Sequence, residues 1–327
     1  DEAGSFRKEW LAGVDHPVGR LVVEARTMDK FRSTFIDGYI IDGHNNGHIQ
    51  CEFHQLRGEG GGAVSGRFSS SHPNLQNLPI REPELGPLIR SIFVPKPGEQ
   101  WWKIDWSQIE FRLAVHFASL TRVHGYPLRG VDRVVEQYHT DPSTDYHRVT
   151  AELTGLTRAS AKAINFGIIY GLGVDKLCRQ LGLTRAAGDS LLYQYHSKLP
   201  FVKPLYYAAM NRAKDTGVIT TLLGRKRRFK LEYGEHQFTH AALNAALQGS
   251  AADIMKRAMV DIHESGAMDV LGVPYLTVHD ELDGSLPPTP AGTEALAEVR
   301  HIMETCVPLA IPLVADQTIA ASWGGTK

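Results

Sequence analysis

The chain has 327 residues, 43% of them hydrophobic, and its 35 Lys and Arg balance 36 Asp and Glu to a formal net charge of -1. That length suffices for one large domain or two to three lobes with their own cores, and near-neutral charge excludes any overall attraction to nucleic acid. A polyanion site must come from local clusters such as Arg158 with Lys162, or Arg225-Lys-Arg-Arg228. Cys51, Cys178 and Cys306 are odd in number and widely spaced, and no signal peptide or membrane-length apolar run is seen, so a reducing, cytoplasmic setting fits best.

The chain opens on Asp1 rather than Met, with a short charged segment before a helical stretch from Pro17 to Phe35, so an upstream portion is expected outside it. Gly47 to His54 alternates as a strand, with His48, Gln50, Glu52 and His54 on one face and Cys51 on the other, which argues against a zinc cluster with His44. Gly58-Glu-Gly-Gly-Gly62 lacks the Gly-Lys-Ser/Thr of a phosphate-binding loop and reads as a flexible turn ahead of Arg67. Gln100 to Ile104, rich in aromatic and branched residues, is predicted to be a strand that delivers Asp105 to its end, before a helix begins near Ser107. Ser107 and Glu110 match the capping-box spacing, in which Glu110 would return to the Ser107 backbone N–H.

The most informative segment is Arg158-x3-Lys162-x3-Phe166-x3-Tyr170-Gly171. A helix advances about 100° per residue, so four-residue steps keep these side chains on one slowly drifting face. Thr157 is the predicted N-cap, which places both cations where free N–H groups already favour an anion, and Gly171 and Gly173 end the helix. The stripe runs from polyanion to flat ring; the alternative is an amphipathic surface helix with two solvated cations and two core aromatics. Arg225-Lys-Arg-Arg228 follows as either a solvated charge run or a phosphate contact.

Downstream, Val273 to Val278 and Leu282 to Leu286 read as a hairpin around His279-Asp280-Glu281. Such a turn usually calls for Asn-Gly or Asp-Gly, so these acids are better explained as metal ligands. If the hairpin lies beside the Asp105 strand, two carboxylates meet at a site suited to Mg²⁺, which keeps water and takes oxygens from a triphosphate. The expected fold class is α+β: an antiparallel sheet with a mostly helical insertion.

Asp105-Trp-Ser-Gln-Ile-Glu-Phe-Arg, the Arg158 to Gly171 stripe and Val278-His-Asp-Glu281 resemble, in order, motifs A, B and C of family A DNA polymerases, the DNA polymerase I type. The resemblance extends through Gly66-Arg67 to Arg81, Thr221 to Arg225 and Asn244-x3-Gln248 to Lys256, covering nearly the whole chain from residue 17. It implies a right-hand polymerase: residues 1–36 a partial thumb, 37–120 the first part of the palm, 121–240 the fingers, and 241–327 the rest of the palm with the motif C hairpin.

The resemblance implies that Asp105 and Asp280 bind two Mg²⁺ ions, for which Mn²⁺ substitutes, with the Trp106 carbonyl assisting and Glu281 in a supporting position. Arg158 and Lys162 would hold the triphosphate with His147 and Arg81, and Lys162 would protonate the leaving pyrophosphate. Phe166 would stack beside the incoming nucleotide, Tyr170 would pack next to the templating base, and Glu110 would exclude a ribose hydroxyl. A Phe at position 166 also implies poor use of dideoxynucleotides. Arg67, Asn244 and Gln248 would probe the minor groove at the primer terminus, where A·T and G·C present similar acceptors. Gln76, Asn77, His240, His279 and Arg225 fall among the implied DNA contacts.

The implied partners are primer-template DNA and dNTPs, with an upstream exonuclease domain or replication proteins and no membrane. His240 stands where bacterial members usually carry Arg, and the segment between His147 and Arg158 is shorter than theirs; both features look phage-like. The first thumb helix is not recognisable and no acidic exonuclease signature precedes it, so a weak grip on duplex and no proofreading are expected of this chain by itself. A single-subunit RNA polymerase and an inactive primer-template binding module are the competing functions.

Overall fold

The computed structural model describes residues 10–11, 13–14, 16–56, 62–79 and 84–326. Helix α1 (Pro17–Lys30) has Pro17 at its first position and His16 as N-cap, and it continues into a wider π-type helix, Phe31–Ile41. The predicted strand from Gly47 to His54 is instead split between two partners. His48–Ile49 pairs with His44–Asn45, and Glu52–His54 pairs with Ser69–Ser71.

A four-stranded antiparallel sheet organises the rest. Its strands are β1 (Gln100–Trp106), β2 (Leu276–Val278), β3 (Glu281–Leu286) and β4 (Ala315–Ala320), in the spatial order β2-β3-β1-β4. Side chains alternate across a strand, and β1 uses both sides. Trp102, Ile104 and Trp106 enter the main core, whereas Trp101 joins a second cluster with Phe31, Phe35, Leu276, Val278 and Trp323. Burying each large apolar side chain contributes about 2–3 kcal/mol before entropy is counted. This alternation puts Lys103 and Asp105 on the same side as Trp101, away from the main core.

Strand β3 obeys the same rule. Leu282 and Gly284 lie opposite Ile104 and Trp102, while Glu281 and Asp283 lie opposite Asp105 and Lys103. A Cβ on Gly284 would come within 2.7 Å of the Trp102 ring, so glycine there makes room for the indole.

The main core is closed by α2 (Ile109–Leu120), by the 23-residue α9 (Ala242–Glu264) and by α10 (Pro290–Thr305). Between α2 and α9 lies the expected helical insertion: α3 (Val131–Thr140), α4 (Tyr146–Thr154), α5 (Arg158–Ile169), α6 (Val174–Leu181), α7 (Arg185–Lys198) and α8 (Val202–Thr216). Its apolar faces are continuous with the sheet core: Ile164, Ile168, Leu177, Leu205 and Phe111 belong to one cluster. Among the described residues no helix is long and apolar enough to cross a membrane.

Candidate active site

Val278 pairs with Glu281, so His279 and Asp280 alone form the turn between β2 and β3. His279 has φ 60° while Asp280 is not among the positive-φ residues, the pattern of a type II′ turn, whose first position favours glycine. Glu281 is therefore a strand residue and not part of the turn. The Trp106 N–H donates to the Asp280 carbonyl (3.3 Å), which ties the turn to the end of β1.

Asp105 consequently sits beside Glu281 on β3 and Asp316 on β4, both directly opposite it in register. Burial pushes the Asp105 carboxyl up to about 7; Asp280 and Glu281 add to this, and Lys103 and Lys162 oppose it. Asp105, Asp280, Glu281 and Lys162 line one cleft of about 1030 Å³, together with Arg26, Lys30, Gln76, Asn77 and His279. Gln76 is fixed there by donating from Nε2 to the Thr277 carbonyl (2.8 Å).

The capping box predicted for Ser107 and Glu110 does not form. Helix α2 begins at Ile109 behind Gln108, which is left-handed (φ 56°) and makes no side-chain cap. Freed from that role, Glu110 turns into the site. Its Oε1 accepts from the Arg67 guanidinium (2.7 Å), and its Oε2 accepts from the Tyr170 hydroxyl. The same Arg67 Nη2 donates to Asp280 Oδ1 (2.9 Å), so one cation joins the two carboxylates.

The helix stripe forms as expected. Thr157 caps α5 by accepting from the Ser160 N–H, and Gly171 follows with φ 81°. A Cβ on Gly171 would come within 2.6 Å of Tyr206, so close approach as well as chain direction calls for glycine. Phe166 and Tyr170 stack at 6.2 Å, with Lys162 Nζ 6.0 Å from the Phe166 ring centre. Arg158 is turned to Asp145 (2.5 Å), which also caps α4.

His147 is buried, with its Nδ1 2.8 Å from the Asn165 amide and its Nε2 without a partner. Burial holds its pKa down to about 4, with Lys162 and Arg158 adding to the effect and Asp145 opposing it. The folded state thus stays neutral where an unfolded His, near 6.5, takes up a proton. This stabilisation is complete above pH 6.5 and is lost as pH falls toward 4. We expect the histidine to make the protein about 2 kcal/mol less stable at pH 5 than at pH 7, an increment that His147→Gln should remove. Urea midpoints at the two pH values check this; an unchanged difference in the variant would refute it.

Other sequence-predicted residues are placed elsewhere. Arg225 is committed to Asp253, donating from Nε (2.7 Å) and pairing through Nη2 (2.6 Å), while the Thr221 hydroxyl takes the second carboxylate oxygen (2.5 Å). Asp253→Ala should lower stability by about 3 kcal/mol, because it leaves Arg225 and Thr221 without their acceptor; a urea titration shifted by less than about 0.5 kcal/mol would contradict this. Asn244 and Gln248 follow one another on α9, with the Asn244 Oδ1 buried and unpartnered, and His240 is exposed ahead of them. Trp106 presents only backbone to the site, since its indole is buried and donates to the Met303 carbonyl (2.8 Å). Arg81 and most of the glycine turn at 58–62 lie outside the described residues. His44, His48 and His54 bond separately to Ile41, Asn46 and Ser71.

Sequence reasoning missed Lys103, Asp283, Asn165 and Asp145. Lys103 Nζ lies 3.8 Å from Glu281 Oε2, and Asp283, fully buried, accepts from the Trp101 indole (2.8 Å). Strand alternation from Asp105 was the available signal for Lys103. Nothing in the local sequence points to Asn165, whose role depends on the packing of α4 against α5.

An antiparallel sheet displaying acids at a two-residue hairpin, faced by a helix bearing cations and stacked rings, defines the palm and fingers of a right-hand polymerase. The family model described as DNA polymerase family A matches residues 4–325. The chain belongs to DNA polymerase family A. A DNA-directed DNA polymerase of Pseudomonas phage M6 is 37% identical, over 97% of this chain and 53% of that protein. DNA polymerase I of Pseudomonas aeruginosa is 33% identical, over 96% of this chain and 34% of that protein. Among solved structures, the POL domain of Pol1 from M. smegmatis, in complex with DNA primer-template and dNTP, matches with a TM-score of 0.83 and 28% identity, over 99% of this chain and 56% of that one. The chain thus spans about half the length of the phage relative and a third of the bacterial one.

Proposed function

We propose that this chain carries out template-directed DNA synthesis, in which a primer 3′-hydroxyl oxygen attacks the α-phosphorus of a dNTP and pyrophosphate leaves. The observation that carries this reading is the convergence of Asp105, Asp280 and Lys162 on one cleft. The donor set fits a hard divalent cation: burial first, and then the neighbouring Asp280 and Glu281 carboxylates, raise the Asp105 pKa, and carboxylate oxygens are the ligands that Mg²⁺ prefers. Asp105 and Asp280, with the Trp106 carbonyl, would hold two Mg²⁺ ions, or Mn²⁺ in their place. Bound there, the ions would lower the pKa of the attacking hydroxyl and neutralise charge on the triphosphate.

The chain's own groups do the rest. Lys162 and Arg158 bind the triphosphate, and Lys162 Nζ gives its proton to the leaving pyrophosphate. The neutral His147 supports them by donating from its unpartnered Nε2. Phe166 and Tyr170 form the stacked floor under the base pair. Glu110, braced by Tyr170 and Arg67, closes the space beneath the sugar C2′. Arg67, held between Glu110 and Asp280, faces the primer terminus, where Asn244 and Gln248 also read the minor groove, with Gln76, Asn77, His279 and His240 along the DNA path. Glu281 supports the acids from β3.

In this reading residues 1–36 belong to the thumb, 37–120 and 241–327 to the palm and 121–240 to the fingers; the protein works in the cytoplasm, and this chain by itself supplies no proofreading. An upstream exonuclease domain or replication proteins would complete it. Extension of a labelled primer on a heteropolymeric template, with Mg²⁺ and either dNTPs or rNTPs, tests the reading against an Asp105→Ala control. Growth with dNTPs that the control lacks is expected. Preference for rNTPs would favour an RNA polymerase, and bound primer-template without growth would favour a binding module.

A further inference from the structure

A polar side chain occupies a core position of α5. The buried face of this helix is built from Ala161, Ile164, Asn165, Ile168 and Ile169, at the spacing of one helix side. All are apolar except Asn165, which is fully buried. Asn is a weak helix former, and an amide taken out of water costs free energy unless its polar atoms are bonded. Packing alone therefore favours Ala or Leu at this place.

The side-chain bonds of Asn165 run to α4. Its Oδ1 lies 3.1 Å from the Thr150 hydroxyl, and its Nδ2 lies 2.8 Å from His147 Nδ1 and 3.4 Å from the Tyr146 carbonyl. A carbonyl can only accept, so the amide edge that faces Tyr146 is the NH2 edge; turned over, the amide would set oxygen against oxygen. His147 Nδ1 meets the same NH2 edge and must accept from it. A neutral imidazole that accepts at Nδ1 carries its proton at Nε2. That Nε2 is buried and has no hydrogen-bond partner among the described residues. The charged groups that act on the ring are Asp145, ahead of its own helix, and Lys162 and Arg158 on α5; α2 and α5 also set the Phe111 and Phe166 rings at 6.3 and 5.4 Å from it. A buried N–H in reach of two cations lacks an acceptor, and an anionic oxygen is the acceptor such a place favours.

We propose that Asn165 is a positioning residue for nucleotide binding: it holds the His147 proton on Nε2, from which the ring donates to an oxygen of the dNTP triphosphate. The use of that proton rests on the polymerase reading; its position on the ring does not. The opposite tautomer would aim a lone pair at the phosphates and repel them, so a side chain that touches no substrate decides whether His147 attracts the nucleotide or opposes it.

Two measurements on the full chain test this. Proton–nitrogen correlation spectra of protein carrying isotope-labelled histidine distinguish the two tautomers and the imidazolium, with His147→Gln assigning the signal. Wild type is expected to be neutral with its proton on Nε2. Asn165→Asp replaces the donor by an acceptor, so a neutral His147 must move its proton to Nδ1, while the new carboxylate also favours the imidazolium, in which both nitrogens donate. The half-saturating dNTP concentration of Asn165→Asp in single-turnover extension, taken as a ratio to wild type at each pH, should therefore lie near one at about pH 6 and rise about tenfold by about pH 8.5. Asn165→Leu, which suits the apolar face but neither donates nor accepts, should show both tautomers and a ratio of about two with no pH slope. A role confined to packing α4 against α5 would give neither the change of tautomer nor the slope. A wild-type spectrum with the proton on Nδ1 overturns the proposal, and so does a flat ratio in Asn165→Asp once its spectrum shows the proton moved. If the thermal midpoint shows Asn165→Asp to be unfolded, the wild-type spectrum and Asn165→Leu decide. Wild type that extends no primer sinks the polymerase reading, while the spectra still decide where Asn165 puts the proton.

Discussion

Asp280→Ala is expected to lower primer extension by at least about a thousandfold while primer-template binding stays within a few-fold of wild type. Asp280 stands at a two-residue turn pinned to the end of β1 and faces the cleft with Asp105, so no neighbouring carboxylate can replace it without moving the strand. Losing several kcal/mol of transition-state charge stabilisation corresponds to that factor. The loss of an acid should not weaken the grip on a polyanion. Single-turnover extension combined with a filter-binding titration separates the two effects. Equal extension by wild type and variant would remove Asp280 from the chemistry.

The second large effect is expected at Lys162. Its ammonium acts on Asp105, Glu110 and His147 at once, so it stands between the palm acids and the fingers. Lys162→Ala should reduce the maximal rate by about a hundredfold to a thousandfold and also raise the dNTP concentration needed for half-maximal rate, since in the proposed mechanism one group both binds the triphosphate and protonates its leaving portion. Lys162→Arg should recover binding better than rate, since a guanidinium keeps its charge but gives up a proton poorly. A rise in the half-saturating concentration with unchanged rate would confine Lys162 to binding.

Much of this site was legible in the sequence because its geometry is local. Four-residue spacing alone put Lys162, Phe166 and Tyr170 on one face, and the cap at Thr157 and stop at Gly171 stand where the residue types placed them. The strand carrying Asp105 and the hairpin carrying Asp280 were also readable, although their adjacency was not: β1 and β3 pair across some 180 residues of chain. The capping box failed for a similar reason. Ser107 and Glu110 have the right spacing, but Arg67 and Tyr170, brought in by tertiary folding, compete for the carboxylate and win. Arg225 reads as a free cation until Asp253, buried on α9, is seen beneath it. The buried Asp283, opposite Lys103, carries no motif and appears only once the register of the sheet is known.

The Arg67 guanidinium has a consequence for how this protein can change. It touches the carboxylate assigned to sugar discrimination and the carboxylate assigned to the metal site through the same nitrogen. Any substitution that frees Arg67 from Glu110 redistributes positive charge onto Asp280. Under the roles proposed above, sugar preference and turnover would not be separate traits: a lineage selected to accept ribonucleotides through position 110 would carry an altered acid at position 280 with it, and would need a compensating change at position 67 before the two properties could drift apart.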